Sequence, residues 1–156
     1  MGVRGRTSGH RAFTCFTQAE PAAVWAALTG RDDTAHYLYG LSARSSWEAD
    51  AAITLETACD ETLGRPAVEG QVVHSDPPRR LTYCLTAAAG DPPTYVTWQI
   101  RQRSSGSKIR LHIDEPDPDV ADTDEEAAET WLPVLAKLQH LLATRPPGPS
   151  SGDAQV

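Results

Sequence analysis

The sequence predicts an α+β domain in which a curved antiparallel sheet of about six or seven strands wraps around a long C-terminal helix, with two short helices after the first strand. Three observations predict it. Apolar residues alternate at period two through the middle of the chain, as in VEGQVVHSDPPRRLTYCL, residues 68–85. Two early segments, EPAAVWAALTG and DDTAHYLYG, instead carry helical spacing and stop signals. Near the end Trp131, Leu135, Leu138 and Leu142 recur at helical intervals with Val134 and Leu141 beside them, a broad apolar stripe. A sheet with one apolar face needs a cover, and only this last helix is long enough to supply it.

The elements follow in order. RAFTCFT is a first strand with Phe13 and Cys15 on one side and Phe16 on the other; alternation alone leaves the inward side open. In EPAAVWAALTG, Pro21 suits a first helical turn, Val24 and Leu28 stack at i,i+4, and Gly30 is expected to stop the helix in a left-handed conformation. In DDTAHYLYG, Asp32 or Asp33 is the expected cap and Gly40 the stop. RSSWEADAAITLETA reads as a strand pair interrupted near Glu48 to Asp50. In the hairpin that follows, Val68, Gly70, Val72 and His74 are expected on one face, and Leu81, Tyr83 and Leu85 on one face of the return. Pro77 and Pro78 cannot donate to a ladder and belong at the bend, where Asp76 can bond nearby amides. In PTYVTWQIRQRSSGSKIRLHID, Val96, Trp98 and Ile100 share a face, SSGS turns, and Ile109, Leu111 and Ile113 share a face of the next strand. DEPDPDVADTDEE is a solvated loop and helix start rather than a metal site, because no His or Cys joins its carboxylates. Thr123 with Glu126 fits a capping box. Pro133 leaves two alternatives: Thr130 caps a fresh helix, or one helix bends there.

Composition bounds the function. A chain of 156 residues, 40% hydrophobic and 22% charged, holds one core. With 14 Lys and Arg against 21 Asp and Glu, the net charge of −7 argues against nucleic acid and anionic membranes as partners. Cys15, Cys59 and Cys84 lack metal-ligand spacing and are expected as reduced thiols of a cytoplasmic protein. Neither a membrane-spanning run nor the apolar region of a signal peptide is visible. Residues 1–10 and 145–156, rich in Gly, Pro and Ser, are expected as flexible tails around a single domain spanning 11–144.

Five segments, EPAAVWAALTGRDDTAHYLYG, SSWEADAAI, VEGQVVHSDPPRRLTY, PTYVTWQI and TWLPVLAKLQHLLAT, together resemble the activator-of-heat-shock-ATPase-like (AHSA-type) branch of the START/SRPBCC superfamily, the birch pollen allergen-like proteins, in a bacterial subgroup. The likeness covers about 130 of the 156 residues. It implies the helix-grip fold with a hydrophobic cavity. Four positions depart from the subgroup's motifs: Leu38 stands for Trp, Asp50 and Thr130 for Gly, and Gln139 for Lys. Loss of the two glycines is expected to tighten or re-route the backbone beside the pocket.

No catalytic constellation or metal site stands out, and no cofactor is expected. The histidines at 10, 36, 74, 112 and 140 sit singly. The cavity candidates are His36, Tyr37 and Tyr39 on the second short helix, Val72 and Tyr83 on the hairpin, Trp98 on a central strand, and Trp131 and Leu135 on the last helix. The expected function is non-catalytic binding of a small hydrophobic or aromatic molecule by a monomer or weak homodimer. The alternatives are a chaperone-associated stress-response partner, as the family name implies, and a polyketide cyclase or hydrolase-type enzyme drawing on His36, the tyrosines and Arg44.

Overall fold

The structure, a computed structural model, describes residues 10–57, 68–86, 92–115 and 123–144. The tails expected at 1–10 and 145–156 lie outside these residues except for His10, as do Cys59 and most of the acidic segment before the last helix. Seven strands form one sheet: β1 (His10–Thr17), β2 (Leu41–Arg44), β3 (Ala52–Thr57), β4 (Val68–Asp76), β5 (Arg80–Thr86), β6 (Thr94–Arg103) and β7 (Gly106–Asp114). Helices α1 (Pro21–Thr29) and α2 (Arg31–Tyr37) separate β1 from β2, and α3 (Asp124–Thr144) follows β7. Among the described residues no helix is long and apolar enough to cross a membrane.

The strand order is β1-β7-β6-β5-β4-β3-β2, antiparallel throughout. From β2 onward each strand pairs with the next, so the only long step is from β1 at one edge to β2 at the other, and α1 and α2 carry the chain across it. The sheet curls into a half-barrel. Its inner face, with Val72, Leu81, Tyr83, Val96, Trp98, Ile109, Leu111 and Ile113, forms one cluster with Val24 and Leu28 of α1, Tyr37 of α2, and Val134, Leu135, Leu138 and Leu142 of α3. On β1 the inward side is that of Phe13 and Cys15, which pack against this cluster, while Phe16 is exposed.

α3 is held along its length. The capping box forms: Thr123 N–H donates to Glu126 Oε1 at 2.9 Å and Glu126 N–H to Thr123 Oγ1 at 3.1 Å. Arg11 of β1 pairs with Asp124 at 2.7 Å, and Gln139 Nε2 donates to the Phe16 carbonyl at 2.6 Å. Pro133 lies inside a single continuous helix, so Thr130 starts no fresh one. The proline lacks the N–H that the Glu129 carbonyl would receive and its ring crowds that turn. The neighbouring Thr130 carbonyl accepts instead from the Tyr39 hydroxyl, at 2.5 Å, which ties α3 to the end of α2.

The local corrections have local causes. Gly30 is extended, at φ −76° and ψ 133°, because α2 begins at the next residue and leaves no room for a left-handed cap. Its glycine is required by proximity, since a Cβ would stand 2.7 Å from Asp33 Oδ2 and 2.9 Å from the Ala26 carbonyl. Asp32 and Asp33 occupy the first turn of α2, facing the positive end of the helix dipole, and neither caps it. The strand expected around residues 44–47 lies upstream, at Leu41–Arg44. A bulge in β4 between Val72 and His74 reverses the alternation, so Val72 faces the core while His74 pairs with Thr82 on the outer face, exposed. Asp76 makes an ion pair with Arg79 at 3.4 Å in place of the expected bond to a backbone amide. At the β6–β7 turn Gly106 has φ +97°, and a Cβ there would collide with the Thr17 carbonyl oxygen.

Candidate ligand site

Between the sheet and the helices a line of aromatic rings runs from α2 to the β2–β3 connection. Tyr37 is 1% exposed and its hydroxyl donates to the Leu28 carbonyl of α1 at 2.7 Å, which fixes the ring. Its edge meets Trp98 of β6 at 6.0 Å and 81°. Trp98, fully buried, donates its indole N–H to the Tyr83 hydroxyl of β5 at 3.0 Å. Trp47 closes the line with its ring 6.2 Å from that of Tyr83. Such edge-to-face pairs each add about 0.5–1.5 kcal/mol beyond area burial.

The backbone explains why these rings converge. Tyr83 pairs with Val72 on one side and Val96 on the other, so one row across three strands points inward. Trp98 sits two residues along β6 from Val96 and keeps the same face. Trp47 reaches Tyr83 because the chain after β2 turns through two left-handed residues, Trp47 at φ 63° and Asp50 at φ 72°. Asp tolerates that region, so the Asp50 position keeps a conformation that glycine adopts freely. Trp47 does not: a bulky residue held there is strained.

The electrostatics make the tyrosines donors. Burial pushes the Tyr83 hydroxyl up to about 12, against a smaller opposing effect of the Trp98 hydrogen bond. Tyr37 is held well above its ordinary value by burial first, then by Tyr83 and Asp33. Both phenols stay protonated at neutral pH. Tyr37 uses its proton on Leu28, whereas the Tyr83 oxygen accepts from Trp98 and its own proton has no acceptor among the described residues. Burial raises the Cys15 thiol to about 11, so it stays protonated at neutral pH.

The structure therefore brings together Tyr37, Val72, Tyr83, Trp98 and Leu135, all in the core cluster, with Trp131 half-buried against it. His36 lies exposed on α2. Tyr39 lies not on α2 but two residues past it, in a left-handed conformation at φ 54°, and is 52% exposed with the Lys137 ammonium of α3 5.4 Å over its ring. Trp47 was not among the candidates read from sequence. Its place in the segment SSWEADAAI, which resembles a family motif built on that tryptophan, was the available clue.

Comparison with known proteins gives the same fold. The family model described as Activator of Hsp90 ATPase homolog 1-like protein matches residues 18–143. Protein MLL2253 from Mesorhizobium loti superposes with a TM-score of 0.73 at 18% identity, over 88% of this chain and 98% of that one. CalU16 from Micromonospora echinospora gives 0.68 at 16% identity, over 86% of this chain and 76% of its own. DynU16, a protein in the dynemicin biosynthetic locus, gives 0.64 at 19% identity, over 87% of this chain and 48% of its own. Among curated proteins none is similar enough to count as a match.

Proposed function

The chain belongs to the Activator of Hsp90 ATPase homolog 1-like family, and from that premise we propose that it is a cytoplasmic binding protein for one small hydrophobic or aromatic molecule, held between the sheet and α3. The observation that carries this reading is the hydroxyl of Tyr83, a buried residue among aromatic rings, with no acceptor for its proton among the described residues. The oxygen already accepts from Trp98, so what is unused is its donor capacity, and a ligand oxygen would supply an acceptor for it. The strained Trp47 against Tyr83 supports the same place. The surrounding groups are apolar or phenolic, and a phenol near 12 donates a hydrogen bond rather than moving a proton at neutral pH. Binding without transformation follows. DynU16 belongs to a biosynthetic locus, a context that favours a small organic molecule as occupant.

The expected strength sets the experiment. Removing roughly 300–400 Å² of apolar surface from water yields about 7–10 kcal/mol at about 25 cal/mol per Å². Association costs at least about 4 kcal/mol, which leaves dissociation constants from about tens of micromolar to millimolar. Planar aromatic compounds, with and without a carbonyl or ether oxygen, are titrated to about 1 mM while tryptophan fluorescence is followed. Saturable binding is expected, and Tyr83→Phe should weaken the oxygen-bearing compounds about 3- to 10-fold while leaving plain hydrocarbons unchanged. Absence of saturation across the panel, with stimulation of a chaperone ATPase by the same protein, would favour the partner role that the family description names.

A further inference from the structure

Although the chain has 21 acidic and only 14 basic residues, part of its cationic charge gathers on one face. On the outer side of the sheet Arg80 of β5 lies opposite Gln99 of β6, which lies opposite Arg110 of β7. Two residues along, Arg101 of β6 lies directly opposite Lys108 of β7. These side chains point away from the core, since their strand neighbours Leu81, Ile100, Ile109 and Leu111 are buried. With Arg79 and Asp76 from the β4–β5 turn they wall an open groove of about 880 Å³. Beside it Arg103 caps the half-exposed Phe16 ring at 4.6 Å.

Among the described residues most of this charge has no carboxylate beside it. Among the described residues only Arg79 of the groove cations has a carboxylate partner, Asp76 at 3.4 Å. The Arg110 Nε is shielded from solvent and has no hydrogen-bond acceptor there. Gln99 cannot serve both arginines, because its Oε1 is paired with the His112 ring at 3.0 Å. Like charges directly opposite across strands cost stability, so the Arg101–Lys108 pair is unexplained by folding. The field reaches His112, whose ring is held below its ordinary value by burial first, then by Arg110, His10 and Arg80, against Asp114.

We propose that this outer face of β5, β6 and β7 is a docking surface for an extended acidic peptide segment of a partner protein. The spacing fits: alternate residues of an extended chain repeat at about 6.8 Å, the interval between Lys108 and Arg110 along β7, while neighbouring strands stand about 4.8 Å apart. The range of the field also selects the partner. With a Debye length of about 8 Å at physiological salt, a short segment in the groove meets only the local cations. A long duplex would extend past them onto a molecule whose net charge is −7. The inference does not depend on binding in the interior.

The test is fluorescence anisotropy with a labelled peptide of alternating Glu and Ser, against its Gln–Ser counterpart, a short DNA duplex and the unlabelled protein itself. The acidic peptide should bind saturably, more weakly as salt rises, and the Gln–Ser peptide should not bind. The double variant Arg101→Gln, Lys108→Gln should bind at least about tenfold more weakly. Its melting temperature should stay the same or rise, since a like-charge pair is removed. Equal binding of the two peptides, preference for the duplex, self-association lost in the variant, or a lowered melting temperature would each overturn the proposal.

Discussion

Tyr83 and Trp98 show how much single residues can be read from a sequence. Period-two alternation places both inward, and both are buried. Their mutual hydrogen bond depends on cross-strand register, which alternation does not specify. Removing the acceptor in Tyr83→Phe would strand a buried indole N–H and should cost about 1–3 kcal/mol in urea denaturation at an unchanged m-value. His74 was placed on the inner face because a bulge adds one residue without leaving a mark in the pattern. Alternation gives no sign of Trp47, whose position comes from a left-handed turn at a residue that ordinarily avoids one. His112 gives a pH dependence with a definite sign. The folded state holds it below 6.5, so the unfolded chain binds the proton more readily. The contribution of His112 to stability is present in full above its unfolded value of 6.5 and is lost as the pH falls from there through the lower folded value. Denaturation midpoints measured across that interval should show the decline, and His112→Gln should flatten it.

Elements with strong periodicity were legible, and their ends were not. α3 appears where its apolar stripe and capping box put it, and Ala127, Val134, Leu135, Leu138 and Leu142 are its buried residues. Leu138 is fully buried, so Leu138→Ala should lower stability by about 2–5 kcal/mol. Thr123→Ala removes one half of the capping box and should cost about 1 kcal/mol. Thermal unfolding of the two variants checks both. The Pro133 alternatives could not be separated beforehand, because a proline fits both a first turn and a bend; the helix runs on through it, with Tyr39, far away in sequence, donating to the Thr130 carbonyl. The stop at Gly30 holds while its expected left-handed conformation does not: glycine stands there because Asp33 and the Ala26 carbonyl crowd it, a contact made only once both helices exist.

For the whole molecule the sequence order was enough, because one strand, two short helices, a run of hairpins and a long striped helix leave few ways to cover a curled sheet. The cross-sheet passage of α1 and α2, which sets β1 and β2 at opposite edges, follows from that order once β1 pairs with β7. The interior site was less legible, since a residue pointing inward can fill a core or face a ligand, and apolar patterning is the same in both cases. The proposal of a ligand there rests on the Tyr83 proton, which has no acceptor among the described residues, and that depends on atoms rather than on pattern. The most direct measurement follows the indole N–H resonances of Trp25, Trp47, Trp98 and Trp131 by nuclear magnetic resonance as a planar aromatic compound carrying a carbonyl is added. Saturable shifts of Trp98 and Trp47, with Trp25 on α1 little changed, are the expected result. Shifts that spare Trp98 and Trp47 while others move, or none at concentrations near 1 mM for any compound of the panel, would contradict an interior binding site.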